Sequence, residues 1–327
     1  MAKTILGNNS KPNDENDKKS ISSVAVLFVT LIIMFIVFSI LSRYFFTLNN
    51  IINLLQQVAV LGIASAGITL VVLSGSLDLS VGSIMATSGI YAAWFLRLGA
   101  PWYLGILGGI AVGTLCGFIN ATMINSLKMN PLIVTLGMAN VWEGVTKLRN
   151  DGVAIGVFDL RFKFLGQGRL LGVPVIIFVL IIVYLIMAFV MKYTKFGRDS
   201  YAVGGNSQAA LYSGINVKRV RFAIYTLAGT FAGIAGVSYA AIVGSGTVTA
   251  GSSTTLNAIA AVVLGGASLA GGVGSIVGTF VGVLLLGTID NGLSIMGVST
   301  FWQLIVKGVI LLLAIFIDVV RGGEAYE

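Results

Sequence analysis

"VVLSGSLDLSVGSI" at 71–84 recurs roughly two hundred residues later as "VVLGGASLAGGVGSI" at 262–276, with one residue added in the middle. Each copy follows an apolar run, passes through Gly-rich backbone and leads by "VGSI" into another apolar run. Irregular backbone at membrane depth survives only where protein or a watery cavity surrounds it. The competing readings are chance self-similarity of glycine-rich apolar sequence, and glycines that serve only to let helices pack closely. "VVL", a Gly, a Ser-Leu and "VGSI" recur in that order, which favours a repeat over chance.

Composition says what surrounds these stretches. The chain has 327 residues, 57% of them hydrophobic and 10% charged, and its mean hydropathy is +0.98. A soluble domain carries about a quarter charged residues, so this is an integral membrane protein. Forty-two glycines against 4 prolines suit a closely packed helical bundle. The absence of His and the single Cys, Cys116, exclude a disulfide framework and a His/Cys metal site. A net charge of +8 points to nucleic acid in a soluble protein. Here it reflects Lys and Arg retained on the cytoplasmic face, and no nucleic-acid partner is expected.

The reading is an all-α integral membrane protein of about ten transmembrane helices with an internal repeat. The spans fall near 23–44, 57–75, 81–98, 102–124, 131–149, 172–194, 221–243, 255–271, 274–293 and 299–319. Residues 1–22 are expected to be a disordered cytoplasmic tail, 23–320 the transmembrane domain and 321–327 a cytoplasmic tail. The first apolar run is too long for a signal-peptide core and lacks a small-residue cleavage site, so it reads as a retained span. Ten crossings put both termini on one side, and twelve Lys and Arg then lie inside against seven outside, with Lys307 in a span. That bias sets both ends in the cytoplasm, and the expected location is a plasma (inner) membrane. The two repeat copies then run in the same direction, like parallel repeats about the membrane normal.

Candidate path residues are the polar groups of these spans. An ionisable residue near the membrane is a functional candidate by default. Asp78 can alternatively cap the helix that follows it, and Asp290 poses the same choice. Asn120, Asn125, Asn140 and Trp142 can line a passage for hydroxyl-rich solutes, or make ordinary interhelical hydrogen bonds. Glu143 and Lys147 stand one helical turn apart and read as an ion pair.

The long hydrophilic stretch 192–222 is basic at both ends and therefore cytoplasmic. Its middle, "NSQAALYSGI", reads as a short helix that stops at Gly214. A solvated surface helix is one reading and a docking surface for a partner is the other.

At this point the residues resemble a family. "FFTLNNIINLLQQ", "LDLSVGS", "GRDSYAVGGNSQAALYSGINV", "LNAIAAVVLGGASLAGGVGSIVGT" and "NGLSIMGVSTFWQLIVKGVILLLA" are similar to the permease subunits of the ribose-type branch of ATP-binding-cassette sugar importers. The resemblance covers nearly the whole chain after the N-terminal tail. It implies two permease copies forming the path, lipid around them, an ATPase docked on the cytoplasmic face, and an extracytoplasmic sugar-binding protein that delivers the solute. ATP would then sit on the partner subunit, with no cofactor in this chain. In such importers a cytoplasmic loop carries Glu-Ala-Ala with a Gly seven residues after the Glu. With Gly214 in the Gly slot, Ser207 takes the Glu slot, and Gln208 and Ala209 the two Ala slots. The expected coupling loop, at about 195–220, uses Ser207, Gln208, Ala209, Ala210 and Gly214. The Glu is absent, so contacts needing a carboxylate are not expected, whereas a smooth knob for a partner's groove is.

The sequence contains no G-x-x-x-x-G-K-[ST], and without His it forms no Ser-His-Asp site. The expectation is a transporter subunit with no ATPase site of its own. Alternatives are a stand-alone facilitator or ion-coupled carrier, which calls for more acids within the spans, and an intramembrane enzyme, which calls for acids clustered at one depth. Asp78, Glu143 and Asp290 are scattered along the chain.

Overall fold

The computed structural model describes the backbone of residues 12–322 and the side chains of 25–316 and 319. It contains thirteen helices among the described residues. They are α1 (Pro12–Leu41), α2 (Leu48–Leu73), α3 (Val81–Arg97), α4 (Trp102–Asn125), α5 (Pro131–Leu148), α6 (Leu160–Gln167), α7 (Val175–Tyr193), α8 (Lys195–Gly205), α9 (Ser207–Tyr212), α10 (Val217–Val243), α11 (Thr254–Leu264), α12 (Ile276–Ile295) and α13 (Thr300–Gly322). Four two-residue strands form two antiparallel pairs. β1 (Ile155–Gly156) joins β4 (Ser245–Gly246), and β2 (Arg169–Leu170) joins β3 (Val173–Pro174).

Five helices, α2, α4, α7, α10 and α12, are long and apolar enough to cross a membrane. Each of the ten expected spans contains a helix, but not always one that fills it. The expected span 255–271 is helical only as α11, eleven residues, or about 16 Å at 1.5 Å per residue. That is half of a hydrocarbon layer of about 30 Å, because Gly265 and Gly266 stop the helix early. Helical backbone begins at Pro12, within the stretch expected to be a tail, and residues 1–11 lie outside the described residues. At the other end α13 runs to Gly322, and residues 323–327 lie outside the described residues.

α10 is the central post. Gly113 and Gly117 of α4 face Gly229 and Gly233 of α10 backbone to backbone, and Gly89 of α3 faces Gly236. A Cβ at any of these positions would meet the neighbouring main chain, so the glycines set the interaxial distance. α2 packs on the same post and is almost fully buried from Val58 to Leu73. α7 lies along α2, where Tyr184 Oη donates to Gly62 O at 3.0 Å.

The two ends of the bundle differ. Near the start of α2, Gln56 Nε2 donates to Gly166 O of α6 at 3.2 Å. Gly166 also packs on the α10 backbone at Ala241 and Ile242. The expected external loop is therefore an ordered cap of α6 and the β1–β4 pair, with the Arg149 guanidinium 3.5 Å from the Trp94 ring centre. At the other end of α2, Leu73 meets α8 and the segment after α11. α6 and α8 thus stand at opposite ends of one long helix.

Candidate functional site

The two sequence repeats meet in space. Gly272 N–H donates to Leu73 O at 2.9 Å. Gly75 and Gly271 lie backbone to backbone, and Gly204 of α8 fills the corner between Leu73 O and Gly272. Tyr201 Oη, also on α8, donates to Gly274 O at 3.0 Å. Burial raises the Tyr201 phenol above its ordinary value, so it stays an uncharged donor. Lys195–Gly205 is therefore joined to both helix breaks at once.

The first break is held by polar side chains. Asp78 Oδ1 accepts from Ser80 N at 2.8 Å and from Ser80 Oγ at 2.6 Å. Asn120 Nδ2 of α4 donates to Ser80 Oγ at 2.8 Å, and Tyr225 Oη of α10 approaches Leu77 O at 3.5 Å. Asp78 is 1% and Asn120 0% exposed. Asp78 Oδ2 and Asn120 Oδ1 have no partner among the described residues. The geometry is the local turn that a short acid makes with the N–H two residues on, just ahead of the helix.

Directly after this break lies a cavity of about 430 Å³. One wall is the beginning of α3 with the residue before Ser80, namely Leu79, Gly82, Ser83 and Ala86. A second is α5, with Glu143 and Lys147. The third is the irregular chain after β4, from Val248 to Ser252, with Thr255 and Leu256 of the first turn of α11. Gly82 and Gly251 stand backbone to backbone, and Thr255 Oγ1 accepts the free Gly82 N–H at 2.9 Å. The third wall is thus tied to the open first turn of α3, whose N–H groups have no helical partners. Such an arrangement gives a wall of mixed apolar and hydroxyl character, of the kind that holds a small polar solute.

The expected path residues separate. Asp78 and Asn120 come together at the first break. Trp142 is buried on the side of α5 that faces α3, its Nε1 without a partner among the described residues. Asn140 is exposed on α5, its amide 3.5 Å from Leu136 O. Asp290 is remote from these, in an ion pair with Lys307 at 2.8 Å. Its neighbour Asn291 exchanges two amide hydrogen bonds with Asn50, at 2.8 and 3.0 Å. Asn125 bonds back to Ala121 O at 2.9 Å. In the stretch expected to be cytoplasmic, α9 spans Ser207–Tyr212. Asn206 caps Gln208 and Ala209, Ala210 is buried, and Gly214 follows at φ +81°.

Sequence reasoning passed over three features. Glu143 and Lys147 pair at 2.6 Å as expected, yet they also line the cavity. Ser252 sits in a stretch without periodicity, and Thr255 opens the expected span 255–271. Gly204 and Gly205 offered only the signal of a Gly-Gly step in a polar loop. Among the described residues no group of three His, Cys, Asp or Glu is placed to hold a metal ion.

Comparison with known proteins places this geometry in context. Residues 50–315 match the family described as branched-chain amino acid transport system / permease component. The chain is 44% identical over 282 residues to the ribose import permease protein RbsC of Bacillus subtilis (strain 168), across 86% of this chain and 88% of that protein. It is 41% identical over 285 residues to the ribose import permease protein RbsC of Escherichia coli (strain K12), across 86% and 88%. It is 37% identical over 280 residues to the L-arabinose ABC transporter permease protein AraH of Azospirillum brasilense, across 86% and 83%. No solved structure matches the chain.

Proposed function

From the premise that this chain belongs to the family of branched-chain amino acid transport system permease components, we propose that it forms the membrane path of an ATP-binding-cassette importer for a monosaccharide, ribose first. The observation that carries this reading is the cavity of about 430 Å³ between α3, α5 and the 248–256 segment. Its hydroxyl groups and single compensated charge pair suit a neutral polyol. The sugar permeases among the relatives support a sugar over the amino acid in the family's description.

In this reading the chain crosses the membrane ten times with both termini in the cytoplasm. α11 and the 244–253 segment together make one crossing, and α3 and α12 leave the two breaks in the same direction. The opposite placement of α6 and α8 along α2 supports that orientation, as does the basic flanking of α8 and α9. A second copy completes the path. An extracytoplasmic sugar-binding protein delivers solute to the α6 end, and a separate ATPase docks at the α8–α9 end. There Leu211 and Tyr212 are exposed, at 55% and 86%, and with Ala209 they form an apolar knob. ATP-driven motion of that partner reaches both helix breaks through α8, because Gly204 and Tyr201 touch them directly.

Uptake of labelled ribose into vesicles holding this chain, its ATPase and its binding protein tests the reading, with each component omitted in turn. Ribose uptake that needs all three supports it. Uptake by this chain alone, or uptake of leucine in place of ribose, overturns it. Gly214→Leu separates the docking role. The position has open space but a left-handed backbone, so the variant should fold and hydrolyse ATP with its partner while uptake falls at least tenfold. Full uptake removes α9 from the coupling.

A further inference from the structure

Of the twelve residues that line the cavity, Glu143 and Lys147 alone carry charge. Their direction is fixed from behind. Thr87 Oγ1 of α3 lies 2.7 Å from Thr146 Oγ1, and Thr146 Oγ1 donates to Trp142 O at 2.7 Å. With Trp142 and Thr146 turned to α3, the next residues, Glu143 and Lys147, come about 100° further round the helix. Charged side chains on a membrane-crossing helix face water, protein or a polar ligand rather than lipid, and here the face they share is the cavity.

The pair is closed at 2.6 Å between Lys147 Nζ and Glu143 Oε1. That contact uses one ammonium proton and one carboxylate oxygen. It leaves Oε2 as an acceptor and two N–H donors on the same small patch, with no net charge. One hydroxyl of a sugar can donate to Oε2 while the oxygen of its neighbour accepts from Nζ. The Ser83 and Ser252 hydroxyls stand on the other two walls, and neither bonds to protein among the described residues. A sugar phosphate would bring an uncompensated charge, and a zwitterionic amino acid would have to separate the pair to match its own charges.

We propose that Glu143 and Lys147 act as one unit that recognises adjacent hydroxyls of a neutral monosaccharide. The membrane subunit thus selects its solute by itself, independently of any protein that delivers it. This rests on the cavity being the solute station of the proposed importer, and the two claims are separable by experiment.

The probe is a thiol at Ser252, introduced as Ser252→Cys with Cys116→Ala, in the full chain held in lipid nanodiscs with no binding protein. Millimolar ribose should slow maleimide labelling severalfold, whereas ribose 5-phosphate and leucine should not. Adding Glu143→Gln should abolish the protection. In vesicles with all partners, it should raise the KM for ribose uptake about tenfold or more, the scale of one lost hydrogen bond to a charged group. If Glu143→Gln fails to fold, by thermal unfolding, Lys147→Gln asks the same question. Ribose uptake that needs all three components, with both variants still protected and at unchanged KM, overturns this inference and leaves the importer standing. No ribose uptake and no protection in the parent overturns the importer reading and this inference with it. Protection by leucine instead of ribose does the same.

Discussion

After Leu73 and after Leu264 the chain makes the same turn. Ser76 N–H reaches back to Val71 O at 3.2 Å, and Ala267 N–H to Val262 O at 3.2 Å. Gly75 and Gly266 take left-handed backbone, at φ +70° and +84°. This is the helix stop that a glycine one residue past the C-cap produces. The restarts then part company. In the first, Asp78 holds Ser80 and α3 begins at Val81. In the second, Ala270 stands where Asp78 would be. Gly271, Gly272 and Gly274 take φ of +91°, +73° and +138°, and α12 waits until Ile276, capped by Ser275. One restart is fixed by a polar side-chain network. The other is fixed by main chain pressed against α8. A repeated phrase can therefore give the same stop and two different starts: α8 touches both breaks, but only the first, with its polar restart, frames the cavity.

The most damaging way to break this comparison is at Gly204, which touches both sides. Gly204→Val would place a side chain on Leu73 O and Gly272. Overpacking of this kind costs about 1–3 kcal/mol or more, here against main chain that has no rotamer to yield. A large fall in melting temperature in detergent is expected, and a variant that melts like the parent would show that α8 does not bridge the breaks. Next is the side-chain network. Asp78→Ala removes the acceptor of two Ser80 hydrogen bonds and should cost about 1.5–3 kcal/mol, while the mirror change Ala270→Asp, made at an exposed turn, should cost much less. Equal losses would mean that the restarts are not fixed differently. The smallest effects belong to the shared stop. Gly75→Ala and Gly266→Ala each force a Cβ into left-handed backbone, at about 1–2 kcal/mol. Gly75→Ala should be the worse of the two, since its Cβ would also meet Ala270 O at 3.2 Å while Gly266 faces open space. The reverse order, read from the two melting temperatures, would contradict the equivalence of the stops.

Local signals were readable in advance because their causes are local. The short helix ending before Gly214 and the Glu143–Lys147 pair each rest on contacts within five residues. For Asp78 the sequence offers a capping role and a path role, and its bonds to Ser80 make a local turn just ahead of α3, not a cap on the N–H groups of its first turn. The expected span 255–271 exceeds its helix because apolar composition marks what lies in lipid or protein, not what is helical. Gly265 and Gly266 end α11 inside it. The wall formed by Val248, Thr249, Gly251 and Ser252 has neither helical nor strand period, so no pattern pointed to it.

By itself the sequence determined the solvent of this protein, its helical make-up and its short-range turns and pairs. Hydropathy, glycine turns and capping side chains act over one or two turns of chain. Only the tertiary structure decided that Leu73, Gly204 and Gly272 share one point, and that α3, α5 and the 248–256 segment enclose a cavity. The reason lies in what a glycine encodes. Its missing side chain permits a close approach, but which backbone fills the space is settled by the packing of the whole bundle around α10.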